Sequence, residues 1–357
     1  MKNTLRTISL ALLATAMPSF AAEESKLPRP DGKPADMSKP VQVFILMGQS
    51  NMVGAGKVGP IDKEGSLENA AKQLKLYPFL VDDQGNWTER KDVRNVRVMV
   101  GKGGGMQLFN NEWMSVTGKT LGPEYGIGHQ VGNAVEAPVM ILKSCIGNRS
   151  LGWDLLPPGS EQFEFEEKNK AGETKTMVYA GYKDSPASWV KGEKPEAIAW
   201  YAGKQYDDDI ANAKKVLSEL DKYYPDAKSY EVAGFFWWQG EKDSGNAAHS
   251  AHYEKNLVHL IKTLRKEFEA PNAKFVMATL GEHTADTTGN GKLVFDAMLN
   301  VDGEKGKYPE FKGGVATVIS SPLSQGGSGN SHYGGNARTY MDVGLAMGEA
   351  MTKLLKK

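Results

Sequence analysis

The most distinctive feature of the hydrophobic pattern is an unbroken apolar run from Val43 to Met47, which ends abruptly at Gly48. A continuous run with β-branched and aromatic members is typical of a strand buried on both faces of a parallel sheet. Ser50 follows, where a turn would lead into a helix. Reactive groups of open parallel sheets lie just beyond the carboxyl ends of the strands. Ser50 is therefore a candidate nucleophile, although a serine at a helix start is also a common N-cap.

The rest of the chain alternates between strand-like and helix-like apolar periods. Further strands are predicted at 94–100, 138–143, 230–238, 274–280 and 315–320. Helices are predicted at 66–76, 121–135, 200–223, 253–268 and 337–355. Strands that alternate with helices of this length predict an α/β domain whose mainly parallel sheet is covered on both faces. The stretch from about 154 to 205 breaks the pattern and is predicted to be a surface insertion.

The amino-acid composition limits the kinds of binding partner that are expected. The chain has 357 residues, with 43 basic and 43 acidic side chains and a formal net charge of zero. Nucleic-acid-binding proteins normally carry a basic field, so no nucleic-acid partner is expected. Cys145 is the single cysteine and excludes an intrachain disulfide. We interpret residues 41–357 as one domain.

The first residues have the pattern of an export signal. Lys2 and Arg6 precede an apolar run at residues 8–17, and Ser19 and Ala21 supply small residues at the cleavage-determining positions. We predict that residues 1–21 are a signal peptide cleaved after Ala21, followed by an N-terminal tail at 22–40. The apolar run is too short to span a bilayer comfortably, so a periplasmic or secreted protein without stable membrane insertion is expected.

Polar turns end three of the predicted strands, and a histidine precedes the last helix. Acyl transfer by serine needs a hydroxyl, a base, a group that orients the base, and hydrogen-bond donors for the oxyanion. Because parallel strands end at one edge of a sheet, these turns could bring all four together. The residues concerned are Ser50, Gly147 with Asn148, Gln239 with Glu241, and His332.

The motifs around these residues resemble a known family. They are Gly48-Gln-Ser50-Asn-Met52, the Gly147 turn, Trp237-Trp-Gln239-Gly-Glu241 and His332-Tyr-Gly-Gly-Asn-Ala-Arg-Thr-Tyr340. Together they resemble the sialate O-acetylesterase-like branch of the SGNH hydrolases, which is similar to carbohydrate esterase family 6. The resemblance implies a three-layer α/β/α sandwich with a central mainly parallel sheet, of the SGNH hydrolase (flavodoxin-like) type. Met52 replaces the second glycine of a Gly-x-Ser-x-Gly elbow, which excludes an ordinary α/β-hydrolase.

The resemblance also implies roles for individual residues. Ser50 would be the nucleophile and His332 the general base and acid. The oxyanion would be bound by the backbone N–H groups of Ser50 and Gly147 and by the side-chain amide of Gln239. The reaction would pass through an acetyl-enzyme and would need no metal or organic cofactor.

The acid that orients the histidine departs from the wider family pattern. Many SGNH enzymes have an aspartate three residues before the histidine, where this chain has Gly329. Some relatives in family 6 use the glutamate of the Trp-Gln-Gly-Glu element instead. We therefore predict Glu241 as the orienting acid, with Asp243 as the alternative.

Other polar residues near the predicted strand ends are candidates for binding. Four residues of the Gly147 turn are predicted to contact a sugar: Asn148, Arg149, Trp153 and Asp154. Trp153 could equally be a core residue. His249 and His252 have an i, i+3 spacing that metal sites use, but no third ligand accompanies them, so no metal site is predicted.

The sequence thus predicts a secreted serine esterase that removes O-acetyl groups from carbohydrates such as acetylated sialic acid or xylan-type glycans. Two alternatives stay open. One is a carbohydrate-binding protein of the same fold that has lost catalysis, which the missing aspartate at position 329 suggests. The other is a short-chain esterase that acts on non-sugar esters.

Overall fold

The computed structural model describes residues 27–168 and 172–357. The predicted signal peptide at 1–21 and the first part of the predicted tail lie outside the described residues. Within the described ranges, no helix combines the length and the apolar character needed to cross a membrane.

Twelve strands form three sheets in the described part of the chain. They are β1 (Val41–Gly48), β2 (Gly56–Lys57), β3 (Arg90–Val100), β4 (Met106–Met114), β5 (Thr120–Leu121), β6 (Val139–Ser144), β7 (Phe163–Lys168), β8 (Thr174–Tyr179), β9 (Ser188–Val190), β10 (Tyr230–Trp238), β11 (Lys274–Ala278) and β12 (Val315–Val318). The main sheet has the order β12-β11-β10-β1-β6-β3-β4. All of its neighbours are parallel except β3 and β4.

Helices cover both faces of this sheet. They are α1 (Ser50–Val53), α2 (Glu124–Ala134), α3 (Lys204–Ser218), α4 (Leu220–Tyr223), α5 (Glu241–Ser244), α6 (Ala247–Glu267), α7 (Gly289–Val301) and α8 (Ala337–Leu355). The apolar sides of α3, α6 and α7 pack in one core cluster, and those of α2 and α8 in the other. The predicted three-layer α/β/α sandwich is confirmed.

Strand β1 lies at the centre of the sheet and separates the two cores. Val43, Ile45 and Met47 belong to one cluster, whereas Phe44 and Leu46 belong to the other. From β1 the chain first builds β3 and β6 on one side and then β10, β11 and β12 on the other. The carboxyl end of β1 is therefore the topological switch point, where ligands bind in sheets of this kind.

Several helix predictions differ from the structure in their bounds. The helix predicted at 66–76 is shorter and contains a π-helical turn at Asn69–Gln73. The helix predicted from 253 begins at Ala247, because the side chain of Asn246 accepts a hydrogen bond from the backbone of His249 and caps the first turn. The segment predicted as one helix at 200–223 is two helices, α3 and α4, separated at Glu219.

Strand β4 and helix α7 are among the elements that were not predicted. Strand β4 is an antiparallel edge strand whose residues are mostly half-buried or exposed, so it lacks the apolar run of a central strand. Helix α7 begins with Gly289, Asn290 and Gly291, which are poor helix formers, and tertiary packing of Val294, Met298 and Val301 overrides this preference.

The irregular stretch from 154 to 205 contains the three-stranded antiparallel sheet β7-β8-β9. Aromatic side chains attach this sheet to the main domain. The ring of Phe163 on β7 stacks on His252 of α6 with a centroid separation of 3.8 Å and on Tyr179 of β8 at 5.2 Å. The sheet thus rests on the first turns of α6.

Candidate active site

Ser50 is the first residue of α1 and directly follows the carboxyl end of β1. The N-cap position of α1 is Gln49, so the alternative of Ser50 as a simple N-cap is not realised. The preceding Gly48 has a φ of 143°, and a Cβ there would collide with the backbone of Trp238 on β10. Glycine therefore allows the tight turn that brings Ser50 to the edge of the sheet.

Ser50 lines a cavity of about 710 Å³. The cavity wall also includes Gly147, Glu241, Gly329 and His332. These residues come from the turns after β1, β6 and β10 and from the segment before α8. The sequence prediction that four distant segments converge at one edge of the sheet therefore agrees with the observed geometry.

Gly147 lies against Ser50. A Cβ added at Gly147 would be 3.4 Å from the Cβ of Ser50. In the part of the chain that the structure describes, the backbone N–H groups of Ser50 and Gly147 donate to no protein acceptor. Two neighbouring unpaired N–H groups beside a serine hydroxyl could bind the oxyanion of an acyl-transfer intermediate.

His332 lies on a left-handed turn. Its φ is 51°, and that of the following Tyr333 is 52°, a conformation that is unfavourable for residues with side chains. Tyr333 is fully buried and its ring stacks on Trp238 at 5.9 Å. Its hydroxyl accepts hydrogen bonds from the backbone of Gly281 at 3.2 Å and from Asn51 at 3.3 Å. These contacts hold the strained turn in place.

The hydroxyl of Ser50 and the imidazole of His332 make no side-chain hydrogen bond to any described residue, including each other. Both side chains are half-buried and line the same cavity. No protein partner would have to be displaced for them to approach one another. Catalytic hydrogen bonds often shorten only when substrate is bound.

Glu241 is buried at the first position of α5. Its Oε1 accepts a hydrogen bond from Asn51, and its Oε2 is buried without a partner. Burial raises the pKa of Glu241 to about 8, with a further contribution from the negative charge of Glu282. A buried carboxyl group with one unoccupied oxygen is suited to accept a hydrogen bond from an imidazole.

The position of Glu241 also explains the glycine at position 329. A Cβ at Gly329 would collide with Oε1 of Glu241 and would lie 3.1 Å from Oε2 of Glu282. The carboxyl group of Glu241 therefore occupies the space that an aspartate side chain at position 329 would need.

Asp243, the alternative acid, is fully buried and its carboxylate is fully bonded elsewhere. Its Oδ2 accepts from the backbone of Leu151 at 2.8 Å, and its Oδ1 accepts from Gly152 at 2.8 Å. Gln239 donates to Oδ2 as well, at 2.5 Å. Asp243 does not line the cavity that Ser50 and His332 share.

Gln239 is also fully buried, which bears on its predicted oxyanion role. Its amide nitrogen has three protein acceptors, namely Asp243 at 2.5 Å, the backbone oxygen of Arg149 at 2.9 Å and Gln49 at 3.2 Å. Its Oε1 accepts from Tyr253 at 2.9 Å. An amide has two N–H groups, so both are already used within the protein. The oxyanion role predicted for Gln239 is therefore not supported by this arrangement.

Of the predicted sugar contacts, Asn148 lines the cavity. Arg149 turns away, since its Nε donates to Gln205 at 3.0 Å and its guanidinium lies 4.8 Å from the ring of Trp200. Trp153 packs against a small apolar cluster of the insertion, as its core alternative predicted. Asp154 is buried and accepts from the backbone of Ser150 at 2.8 Å.

The site region also includes residues that were not predicted to belong to it. Gln49 and Asn51 flank Ser50 within its motif, and that adjacency was the available signal. Lys242 and His249 also line the cavity, and Lys242 directly follows Glu241. Burial lowers the pKa of His249 to about 4, so this ring is neutral near pH 7.

Part of the chain matches a known protein family. Residues 180–352, which include Glu241 and His332 but not Ser50, match the family described as carbohydrate esterase, sialic acid-specific acetylesterase. No curated protein is a significant sequence match.

Solved structures show distant likeness. A protein from Arabidopsis thaliana is 15% identical with a TM-score of 0.48, over 88% of this chain and 98% of its own. A carbohydrate acetylesterase from Xanthomonas citri is 14% identical with a TM-score of 0.46, over 87% of this chain and 55% of its own. NanS is 12% identical with a TM-score of 0.40, over 75% of each chain.

The family match confirms the resemblance that the motifs predicted. The strands, the helices and the position of the site agree with an SGNH-type fold. Residues 180–352 are thus similar to the sialic acid-specific acetylesterases among the carbohydrate esterases.

Proposed function

We propose that the protein is an exported serine esterase that hydrolyses O-acetyl groups on carbohydrates, such as acetylated sialic acid or xylan-type glycans. The observation that carries the proposal is the convergence of Ser50, Gly147, Glu241 and His332 on one cavity at the carboxyl end of β1. The family match to carbohydrate esterases supports the sugar as the alcohol part of the ester. Export rests on the predicted signal peptide at residues 1–21.

In the proposed reaction, Oγ of Ser50 attacks the acetyl carbonyl while His332 takes the hydroxyl proton. The backbone N–H groups of Ser50 and Gly147 bind the negative oxygen of the tetrahedral intermediate. Each such donor contributes roughly 2.7 to 4 kcal/mol to the transition state. His332 then gives its proton to the departing sugar oxygen. Water, activated by the same histidine, hydrolyses the acetyl-enzyme and regenerates the serine.

Glu241 is proposed to orient His332 and to stabilise the imidazolium. The proposal is supported by its buried, unpartnered Oε2 and by its position in the same cavity wall as His332. Asp243 is a weaker choice because backbone and amide donors occupy both of its oxygens. The glutamate would replace the aspartate that Gly329 cannot supply.

Acetate release tests the proposal. Wild-type protein is expected to release acetate from p-nitrophenyl acetate and from acetylated glycans, whereas Ser50→Ala should lose at least about 10³-fold in kcat, because the nucleophile is removed. Thermal unfolding of Ser50→Ala should match wild type, since the hydroxyl bonds no described residue.

Two outcomes would favour the alternatives. Binding of acetylated glycans without any turnover would support a carbohydrate-binding protein. A preference for long-chain over acetyl esters, or for non-sugar over sugar acetates, would exclude carbohydrates as the substrate class.

A further inference from the structure

A buried pair, Gln239 and Asp243, joins the three strand ends that surround the cavity. Both side chains are completely buried, and neither lines the cavity. Gln239 follows β10, and Asp243 lies one helical turn later in α5. Their direct contact, from the amide nitrogen of Gln239 to Oδ2 of Asp243, is 2.5 Å long.

One side of the pair holds the turn after β6. Asp243 accepts from the backbone of Leu151 and Gly152, each at 2.8 Å. The amide nitrogen of Gln239 donates to the backbone oxygen of Arg149 at 2.9 Å. Three hydrogen bonds therefore fix the segment from Arg149 to Gly152, which begins two residues after Gly147.

The other side of the pair holds the turn after β1. The amide nitrogen of Gln239 donates to Oε1 of Gln49 at 3.2 Å. That oxygen also lies 3.4 Å from the backbone nitrogen of Lys242. Gln49 directly precedes Ser50, so the pair also restrains the position of the nucleophile.

We infer that Gln239 and Asp243 are positioning residues that set the spacing between the backbone N–H groups of Ser50 and Gly147. The inference rests on the function proposed above and departs from the role that the sequence predicted: Gln239 holds the oxyanion site together and does not itself contact the oxyanion. Both amide N–H groups of Gln239 point to protein acceptors, which leaves none for a substrate.

The physical reason is that oxyanion stabilisation depends on geometry fixed before the reaction. A misplacement of about 1 Å can cost about 10²-fold in rate. The two N–H groups belong to segments far apart in the chain, and the ladder between β1 and β6 ends at Leu46 and Lys143, before the turns that carry these groups. A buried carboxylate that accepts three hydrogen bonds supplies that link.

A covalent adduct provides the first test. An aryl methylphosphonate such as p-nitrophenyl methylphosphonate would transfer its phosphonyl group to Oγ of Ser50, with p-nitrophenolate leaving, and its phosphonyl oxygen mimics the oxyanion. In a crystal structure of this wild-type adduct, we expect that oxygen within hydrogen-bond distance of the Ser50 and Gly147 backbone nitrogens. The Gln239 amide should remain on Asp243 and Arg149. A Gln239 nitrogen bonded to the phosphonyl oxygen would overturn the inference.

Kinetics provide the second test. Asp243→Asn and Gln239→Met should each lower kcat for p-nitrophenyl acetate by about 10²-fold with KM within about twofold. The double variant should be about as slow as either single variant, because each breaks the same link. If Gln239 bound the oxyanion independently of Asp243, the two losses would multiply instead.

A matched control separates positioning from general damage. Asp302 accepts three backbone N–H bonds, from Glu304 at 3.0 Å, Lys305 at 2.9 Å and Thr317 at 2.8 Å, at the far edge of the sheet beside β12. Asp302→Asn should lower thermal stability and leave kcat unchanged. An equal loss of kcat in both aspartate variants would overturn the inference. Absence of both adduct and turnover in wild type would reject the proposed function itself.

Discussion

At the scale of single residues, the proposed orienting acid Glu241 is far along the chain from the proposed base His332. Glu241 lies next to Asn51 and fills the space beside Gly329. Burial raises the pKa of Glu241 to about 8, so the free protein keeps this group largely protonated at neutral pH. An imidazolium beside Glu241 would favour the ionised carboxylate, which is the form that accepts a hydrogen bond from the ring N–H.

The raised pKa predicts how stability changes with pH. Glu241 has a pKa of about 8 in the folded protein and 4.5 as its ordinary value. Between these values the folded state holds a proton that the unfolded state has lost, so this group makes the free energy of unfolding fall as pH rises from 4.5 through 8. Glu241→Gln removes the effect. The melting temperature of the variant minus that of wild type should therefore increase between pH 5 and pH 8.5.

Differential scanning calorimetry across this range, with kcat measured in parallel, checks the prediction. The variant should be nearly inactive at every pH. Glu349→Gln, an exposed glutamate in a surface ion pair with Lys353, is the control and should give a constant difference. A constant difference for Glu241→Gln as well would contradict the assigned pKa.

At the scale of elements, a buried ion pair fixes the short helix that begins with Ser50. Nζ of Lys143 on β6 lies 2.7 Å from Oε2 of Glu124 on α2 and donates to the backbone oxygen of Val53 at 2.9 Å. Val53 is the last residue of α1. A lysine within an otherwise apolar strand is thereby satisfied, and it connects β6, α1 and α2.

Removing one partner of this ion pair should lower the free energy of unfolding. Lys143→Met leaves the carboxylate of Glu124 buried without its cation and is expected to lower the free energy of unfolding by about 3–5 kcal/mol, measured by urea denaturation. The double variant Lys143→Met with Glu124→Gln should be less destabilised. Lys214→Met, which breaks an exposed pair with Glu267, is the control and should cost no more than about 1 kcal/mol. Equal effects at the two sites would contradict the role of burial.

At the scale of the whole molecule, the inserted sheet β7-β8-β9 supports the part of the cavity wall that Asn246 and His249 form. Tyr179 on β8 accepts a hydrogen bond from Asn246 at 3.3 Å, and its ring lies 5.4 Å from that of His249. Asn246 and His249 both line the cavity. Phe163 holds the sheet against α6 through its stack on His252.

Loosening the contact between the inserted sheet and α6 should weaken glycan binding more than it slows the acyl-transfer step. Phe163→Ala is expected to raise KM for an acetylated glycan about tenfold, equivalent to about 1.4 kcal/mol, with kcat/KM for p-nitrophenyl acetate within about twofold of wild type. Phe109→Ala, an exposed aromatic on the edge strand β4, is the control and should change neither value. Equal losses on both substrates would show that the insertion acts on the catalytic groups instead.

The elements that could be predicted from the sequence are those with a strong local apolar pattern. Strand β10 and helix α8 have the predicted bounds, because β10 carries a continuous apolar run at its end and α8 a periodic apolar pattern that begins after the N-cap Asn336. Helix α7 and strand β4 were missed because their local preferences are weak and their packing is nonlocal. The catalytic candidates were recognisable since each follows a strand end or belongs to a family motif.

The sequence by itself determined the alternation of the main buried strands and helices, the serine after the first buried strand and the family motifs, because these depend on local periodicity and adjacency along the chain. Only the tertiary structure decided which buried polar groups meet. Gln239 is 90 residues from Arg149 and 190 from Gln49, and Asp243 is 92 from Leu151. A hydrogen-bond partner is selected by distance and direction in space, and the pattern of residue types carries neither.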